Sequence, residues 1–139
     1  MKSIPTLAAV ITPFPYHIDS QASLIDSQQQ MTYHRIHHLV VKNSDDIAGI
    51  VTEHHLQQHP DHQNDLVVDD VCVPNPVVAD IHDPLDKVLE VMAQQHLGSV
   101  IALREGELVG IFTTTDACRE FANYLRDDEK KRHPDDWIA

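Results

Sequence analysis

Three threonines and an aspartate stand together at a predicted strand-to-helix junction. The stretch GELVGIFTTTDACREFANYL at residues 106–125 has the pattern of a buried strand at 108–112 followed by a helix. Four polar residues lie between the two elements: Thr113, Thr114, Thr115 and Asp116. Backbone N–H groups at a helix start bind phosphate, and a carboxylate accepts hydrogen bonds from paired ribose hydroxyls. The junction therefore suits a ligand that carries a diol and a phosphate.

The same residues also fit an ordinary helix cap. Thr113 followed three positions later by Asp116 matches a capping box, in which the two side chains satisfy backbone N–H groups at the helix start. An acid in the first turn also interacts favourably with the positive end of the helix. The two roles are compatible, so the local sequence leaves both a cap and a ligand site open.

Composition limits the classes of function. The chain has 139 residues and 42% hydrophobic content, enough for one compact domain or two very small ones. Its net charge of −12 argues against nucleic acid, which is bound through clustered lysines and arginines, and against an anionic membrane surface. No apolar run approaches the ~20 residues of a membrane helix. The N-terminal MKSIPTLAAVITPFP is a poor signal peptide.

Cysteines and histidines do not form a metal-binding pattern. Cys72 and Cys118 have neither metal-site spacing nor a partner framework, so we expect a reduced, cytoplasmic protein in which both are buried and inert. His34 and His38 have the i, i+4 spacing of a zinc-binding helix. A strand is expected to start near His38 and break that spacing, so no metal site is predicted.

The order of predicted elements occurs twice. The first half has a helix from Asp19 to Tyr33 with Asp19 or Ser20 as N-cap, strands at 38–42 and 47–51, and a helix opening at TEHHLQQ. The second half has a proline-punctuated apolar segment at 69–78, then a helix with Asp83 as N-cap and Pro84 at its first position. Strands at 99–103 and 108–112 and a last helix follow, with an apolar stripe of Ala117, Phe121, Tyr124 and Leu125.

The two halves align without a gap at an offset of 61 residues, which places Pro13 on Pro74, Gly49 on Gly110 and Thr52 on Thr113. This is a tandem repeat of ~60 residues, and one repeat alone is too small to bury much of its surface. We therefore expect an α/β (α+β) fold. Its two β-α-β-β-α repeats, 1–62 and 63–126, are expected to pack through their sheets with pseudo-two-fold symmetry. A charged tail follows at 127–139; such tails are usually mobile, although Trp137 and Ile138 leave docking on a neighbouring subunit open.

The repeated motif resembles the cystathionine-β-synthase (CBS) domain family, whose tandem pairs are called Bateman modules. GIFTTTD at 110–116 and GIVTEHH at 49–55 stand where the family has a glycine, two apolar residues, Thr or Ser, two variable residues and Asp. YHRIHHLVV at 33–41 and QHLGSVIAL at 95–103 resemble the family's passage from helix to strand. The resemblance covers about residues 7–126.

The resemblance implies a non-catalytic sensing module that binds an adenosine derivative such as AMP, ADP, ATP or S-adenosylmethionine and requires no cofactor. In the family, the motif Asp typically holds the ribose, the motif Thr or Ser holds the phosphate, and the adenine lies against the other repeat. Carried over to this chain, the ribose and phosphate residues are Thr113, Thr114, Thr115 and Asp116, and the base pocket is Tyr16, Ile36 and His37. The family also implies a homodimer formed through exposed helices.

The first repeat departs from the motif at one position. Thr52 is in place, but His55 stands where the family has Asp. A neutral imidazole accepts one hydrogen bond at one nitrogen, so it cannot hold both hydroxyls of a ribose. We therefore expect one competent site per chain and one that is weak or lost.

Charge bears on the identity of the ligand. The cations within the repeats are Arg35, Lys42, Lys87, Arg104 and Arg119. No two of them flank the threonines, and the protein is strongly acidic. AMP, ADP or an adenosyl compound is therefore favoured over ATP.

Three hypotheses of function follow. The first is a sensory module that binds an adenosine nucleotide, as a homodimer. The second is a ligand-free structural or interaction domain, in which Thr113 and Asp116 only cap a helix. The third, an enzyme, has no support, because the sequence contains neither a Ser–His–Asp or Cys–His arrangement nor a glycine-rich phosphate loop with its lysine.

Overall fold

The computed structural model describes residues 3–13, 16–61 and 63–129. Its strands are β1 (Thr12–Pro13), β2 (His17–Asp19), β3 (His38–Asn43), β4 (Asp46–Thr52), β5 (Val73–Pro74), β6 (Val78–Asp80), β7 (Ser99–Arg104) and β8 (Glu107–Thr113). Its helices are α1 (Leu24–His34), α2 (Glu53–Gln57), α3 (Val68–Val71), α4 (Leu85–Gln95) and α5 (Thr114–Glu129), and a 3₁₀ turn spans Leu7–Ala9. The predicted mixed α/β fold is confirmed.

The chain divides into two compact units, each with one four-stranded sheet. Unit I is Phe14–Val77, with strand order β2-β3-β4-β5. Unit II combines Met1–Pro13 with Val78–Ala139, with strand order β1-β8-β7-β6. In both units a parallel pair (β2 with β3, β6 with β7) is followed by two antiparallel pairings. The predicted 61-residue repeat is confirmed in the order of the elements, in the bounds and register of the strands, and in the bounds of α1 and α4.

Each sheet is completed by a segment that belongs, in sequence, to the other repeat. In unit II, β1 pairs with β8, so that Pro13 lies opposite Gly110. In unit I, β5 pairs with β4, and Pro74 lies opposite Gly49. The boundary between residues 62 and 63 stays a prediction about the repeats of the sequence. The compact units divide the chain at 13/14 and 77/78.

The same exchange places a turn of helix from outside each repeat against the residues that precede α1 or α4. In unit II the Leu7 N–H donates to the Asp83 carbonyl (2.9 Å) and the Ala8 N–H to the Ile81 carbonyl (2.9 Å). At the matched positions of unit I, the N–H groups of residues 68 and 69 donate to the carbonyls of residues 22 and 20, at 2.8 and 2.9 Å. The exchanged segments are thus fixed by backbone hydrogen bonds as well as by burial.

In each unit, helices cover one face of the sheet, and the hydrophobic core lies between that face and the helices. In unit I the buried cluster is Ile18, Leu24, Met31, Leu39, Val41, Val51, Leu56 and Val68. In unit II the buried apolar residues include Leu7, Ile81, Leu85, Val88, Met92, Val100, Ala102 and Phe112. The exchanged segments supply Val68 to one set and Leu7 to the other. Both are fully buried, and burial of such a side chain contributes ~1.5–3 kcal/mol.

The predicted start of the first helix is wrong by several residues. The helix begins at Leu24, and its N-cap is Ser23, whose hydroxyl accepts from the Asp26 N–H at 3.1 Å. Asp19 instead accepts from the Gln21 N–H at 2.8 Å, which closes a turn before the helix. Local hydrogen bonding by an Asp side chain competes with helix initiation in this way.

The predicted cap of α4 is also displaced. Pro84, expected at the first helical position, is the N-cap residue in an extended conformation. Asp83, expected as the cap, accepts from the Asp80 N–H at 3.1 Å. The first N–H of the helix, that of Leu85, donates to the carbonyl of Pro5 at 2.9 Å. The exchanged N-terminal segment therefore takes over part of the capping.

Two further expectations are corrected. Cys118, expected to be buried, is exposed, while Cys72 is partly buried and packs against the core of unit I. The predicted apolar stripe of α5 is also largely uncovered, since Phe121 and Tyr124 are 62% and 52% exposed. Trp137 and Ile138 lie outside the described residues.

Replacing Gly49 with Ala tests whether the exchanged strand approaches as closely as the structure shows. A Cβ at this position would overlap the Val73 carbonyl oxygen and lie 2.9 Å from Cys72 Sγ. Because backbone cannot yield as a flexible side chain does, we predict a loss of ~1–3 kcal/mol in the free energy of unfolding, measured by urea denaturation.

The matched control is Gly98→Ala. A Cβ there has no neighbouring atom within 4 Å among the described residues, so the change is expected to stay within ~0.5 kcal/mol. Equal effects of the two substitutions would contradict the close approach of β5 to β4.

Candidate functional site

The predicted strand-to-helix junction lies in unit II, where β8 ends at Thr113 and α5 begins at Thr114. The Thr113 N–H donates to Asp116 Oδ2 at 2.9 Å, and the Asp116 N–H donates to Thr113 Oγ1 at 3.3 Å. These reciprocal bonds form the capping box that the spacing predicts. The Thr113 hydroxyl also donates to Asp116 Oδ2 at 3.0 Å.

Asp116 is the most buried acid described, with 7% of its surface exposed. Arg119 Nη1 donates to its Oδ1 at 3.1 Å, one turn along the helix. Three hydrogen bonds therefore already reach a carboxylate that offers about four acceptor positions. A diol needs two of them, so binding one requires that an existing donor leave. Arg119 is the donor most readily displaced, because its side chain is 61% exposed.

Arg119 was not singled out in advance as a site residue. The available signal was its position three residues after Asp116, since oppositely charged residues at i and i+3 are neighbours on a helix. Sequence spacing alone does not tell such an ordinary surface pair from one whose acid is buried.

Thr114 ties the helix start to the loop before β7. Its N–H and its hydroxyl both donate to the Gly98 carbonyl, at 3.0 and 3.1 Å. Thr114 and Thr115 are exposed. The junction thus combines a buried carboxylate with exposed hydroxyls at the start of a 16-residue helix, an end that favours negative charge.

The matching junction of unit I is built with a different capping residue. The Thr52 N–H donates to His55 Nδ1 at 3.1 Å, and the His55 N–H donates to Thr52 Oγ1 at 3.2 Å. Nδ1 must be unprotonated to accept, which places the neutral ring's proton on Nε2. Partial burial, and secondarily the nearby His54, lowers the pKa of His55 and favours this neutral form. The first repeat therefore keeps the cap without a carboxylate.

The predicted base-pocket residues all belong to unit I. Ile36 and His37 line a small cavity of about 180 Å³, together with Arg35 and Glu53 among others. His37 Nδ1 lies 2.6 Å from Glu53 Oε2, with 74% of the His37 side chain exposed. Tyr16 does not line this cavity; its ring stacks on that of His34 at 3.7 Å between centroids.

The histidines and cysteines give no metal centre in the described part of the chain. His34 is the last residue of α1 and His38 the first of β3, so the predicted loss of their helical spacing is confirmed. Within residues 3–13, 16–61 and 63–129, no three His, Cys, Asp or Glu side chains are grouped to hold a metal ion. Burial, together with the charge of Asp69, raises the pKa of the Cys72 thiol and makes it less reactive.

Sequence comparison identifies both repeats. The profile of the CBS domain matches residues 7–60 and again 68–123. The chain belongs to the CBS domain family. Each match begins with the exchanged segment, the 3₁₀ turn Leu7–Ala9 in one and α3 in the other. A CBS domain in this chain is therefore a unit of sequence whose first residues complete the sheet of the other repeat.

Solved structures of CBS domains have the same fold. The CBS domain pair of protein MJ0100 in complex with 5′-methylthioadenosine and S-adenosyl-L-methionine matches with a TM-score of 0.78 and 22% identity, covering 88% of this chain and 99% of that one. An uncharacterized conserved protein from Pyrococcus horikoshii matches with a TM-score of 0.75 and 24% identity, covering 86% and 94%. CBSX2 in complex with AMP matches with a TM-score of 0.71 and 18% identity, covering 87% and 98%.

No curated protein matches the chain. In the described part of this CBS protein, every helix falls short of the length and apolarity needed to cross a membrane.

The cap formed by His55 predicts a specific dependence of stability on pH. Because the folded-state pKa lies below the usual value of 6.5, His55 contributes its full stability above about pH 6.5 and loses it as the pH falls toward the lowered value. Gln at this helix position accepts the same bond but does not titrate. We therefore predict that His55→Gln reduces the fall in melting temperature between about pH 7.5 and about pH 5.5.

The other ten histidines are common to both proteins, so the difference between the two pH profiles isolates position 55. Parallel profiles for wild type and His55→Gln would show that the ring does not cap the helix as a neutral acceptor.

Proposed function

We propose that this chain is a regulatory, non-catalytic module that binds an adenosine-containing ligand, AMP or ADP or a similar compound. The observation that carries the proposal is the buried Asp116 carboxylate within the repeated motif, next to exposed hydroxyls at a helix start. Two CBS structures with the same fold are complexes with adenosine compounds, one with AMP and the other with 5′-methylthioadenosine and S-adenosyl-L-methionine.

In this proposal Asp116 accepts hydrogen bonds from the two ribose hydroxyls. The donor that it gives up is Arg119, because the Thr113 bonds are part of the helix cap and are less exposed. The released guanidinium stays within one turn of the phosphate-binding hydroxyls of Thr113, Thr114 and Thr115 and helps to neutralise the ligand. Tyr16, Ile36 and His37 are proposed as the base-contacting residues.

The proposed site is single in each chain. In the first repeat the only side-chain acceptor at the matched position is His55 Nδ1, which is already occupied by the Thr52 N–H. A ribose diol would have to compete for one lone pair with a backbone donor. We therefore assign ligand binding to the motif of the second repeat and a structural role to that of the first.

The strongly acidic chain favours a ligand of low charge. Arg119 is the cation that the described residues place at the threonine junction, and the protein as a whole carries −12. A triphosphate would meet more repulsion and fewer partners than AMP, ADP or S-adenosylmethionine. We further propose a cytoplasmic homodimer that binds neither nucleic acid nor membranes, in which ligand shifts the equilibrium between subunit arrangements.

One observation favours the alternative of a ligand-free structural domain. The capping box accounts for both Thr113 and Asp116 without any ligand. Under this alternative Asp116 and His55 are equivalent, since each accepts the N–H of the threonine three positions earlier and supports one helix.

Thermal unfolding with AMP, ADP, ATP and S-adenosylmethionine separates the two functions. A ligand that binds only the folded protein stabilises it by ~2.7 kcal/mol at a hundred times its dissociation constant. We predict that AMP or ADP raises the melting temperature of the wild type and that Asp116→Ala abolishes the rise. The substitution itself is expected to cost ~1 kcal/mol through the cap.

His55→Ala is the matched control, because it removes the corresponding side-chain acceptor from the other helix start. It should cost a similar ~1 kcal/mol and leave the ligand-induced rise intact. If no compound stabilises the wild type at millimolar concentration, the ligand-free domain is the better account. Turnover of a bound nucleotide by the pure protein would instead revive the enzyme hypothesis.

A further inference from the structure

An exposed apolar groove of about 500 Å³ lies between α4, α5 and the N-terminal segment of unit II. Its lining includes the buried Phe112 and three large side chains that reach the surface. These are Leu89, Phe121 and Tyr124, which are 36%, 62% and 52% exposed. Apolar and aromatic side chains clustered on a surface in this way mark an interaction site.

The charged residues that line the groove are all acidic. They are Asp86, Glu120 and Asp127, and the described lining residues include no Lys, Arg or His. Asp86 Oδ1 is buried and accepts no hydrogen bond from any described residue, which costs free energy. Because the terminal torsion of an Asp side chain is soft, this carboxylate can turn toward a donor in the groove. The groove therefore favours an occupant that combines apolar side chains with positive charge and N–H donors.

The corresponding cavity of unit I has neither feature. It is lined in part by Ile25 and Gln28, which stand where the second repeat has Asp86 and Leu89, and its described lining residues carry no charge. The helix α2 ends at Gln57, the counterpart of residue 118, so the later turns of α5 have no equivalent in unit I. Since unit I folds without these groups, the shared scaffold does not require the acidic, apolar groove of unit II.

We propose that the groove is the docking site for a basic amphipathic helix of a partner protein, with apolar side chains along one face and Lys or Arg beside them. The lining residues of α5 extend from Ala117 to Asp127, about 15 Å or three helical turns. A helix laid in a groove of that length presents apolar side chains at i, i+3, i+4 and i+7. No residue assigned to the nucleotide lines the groove, so the proposal is independent of the nucleotide site.

Charge favours such a partner over a second copy of this chain. A two-fold contact centred on the groove sets its three acids against the same three acids of the other copy, and like charges across an interface oppose association. The chain as a whole carries −12, which attracts a basic partner over a longer range. The groove then supplies the apolar contacts that hold it.

Fluorescence anisotropy of a labelled synthetic peptide tests the proposal on the full-length protein. The probe is a helix of about twelve residues, with leucines at i, i+3, i+4 and i+7 and lysines at the other positions. We expect saturable binding of one peptide per chain. The affinity should fall several-fold between about 50 mM and about 500 mM salt, because part of it is charge attraction. The same peptide with glutamate in place of every lysine should not bind.

Two variants separate the apolar and the acidic contributions of the groove. Phe121→Ala should weaken binding roughly tenfold, since it removes a large aromatic contact. Glu120→Gln combined with Asp127→Asn should weaken binding several-fold and reduce its salt dependence. All three side chains lie at the surface of α5 and are exposed or half-buried, so the melting temperatures should stay close to that of the wild type.

Each variant has a matched control outside the groove. Tyr33→Ala removes an aromatic ring of unit I that is 83% exposed. Glu105→Gln combined with Glu107→Gln removes two exposed acids of unit II, at the turn between β7 and β8. Both controls should bind the peptide as the wild type does.

Three results would overturn the proposal. The first is an equal loss of affinity in the groove variants and their controls, which would show diffuse attraction to an acidic protein. The second is the absence of saturable binding by the wild type. The third is a dimer that Phe121→Ala dissociates in sedimentation while peptide affinity is unchanged, which would assign the groove to a second copy.

Discussion

The exchange of an edge strand and a helical turn between the repeats is the interaction on which the rest of this fold depends. The segment before residue 14 completes the sheet of the second repeat, and the segment at 66–74 completes that of the first. Gly49 owes its place in the repeated motif to this exchange, because the Val73 carbonyl leaves no room for a Cβ. The pairing of β5 with β4 also positions the strand that ends at Thr52. In unit II, β1 pairs with β8 at the matched position, so that Pro13 lies opposite Gly110 in the strand that ends at Thr113. The helix start that carries the candidate site is thus positioned by backbone from outside its own repeat.

On this shared scaffold the two junctions share the capping threonine and differ in the three residues that follow it, of which the third returns the capping bond. Both threonines cap a helix, and both residues three positions later return a hydrogen bond to the threonine N–H. His55 has one acceptor nitrogen and uses it for the cap. Asp116 has acceptor capacity beyond the cap, and it shares that capacity with an exposed arginine that can leave. The helix cap therefore explains why residues 55 and 116 are both polar. Only Asp116 has acceptor positions beyond those used by the cap, so only Asp116 suits a diol.

The sequence was sufficient for the strands of both hairpins and the capping box, since each depends on residues close together in the chain. It was sufficient for the repeat because matching residues recur at a fixed offset of 61. It misplaced the start of α1 because Asp19 and Ser20 are both good N-cap residues, whereas Asp19 closes a turn before the helix and Ser23 caps it. It did not predict the strand exchange, because β1 and β5 are two-residue segments whose partners lie far away in sequence. Burial of Asp116 and its pairing with Arg119 likewise depend on packing, as does the exposure of Phe121 and Tyr124 on a helix stripe with the pattern of a core.

The central claim is that the second repeat alone retains a ligand site, and the number of ligands bound per chain tests it most directly. Calorimetric titration of the wild-type protein with AMP measures this number independently of any substitution. One AMP per chain is the predicted result. Two equivalent sites per chain would contradict the structural role given to His55, and no binding would contradict the ligand role given to Asp116.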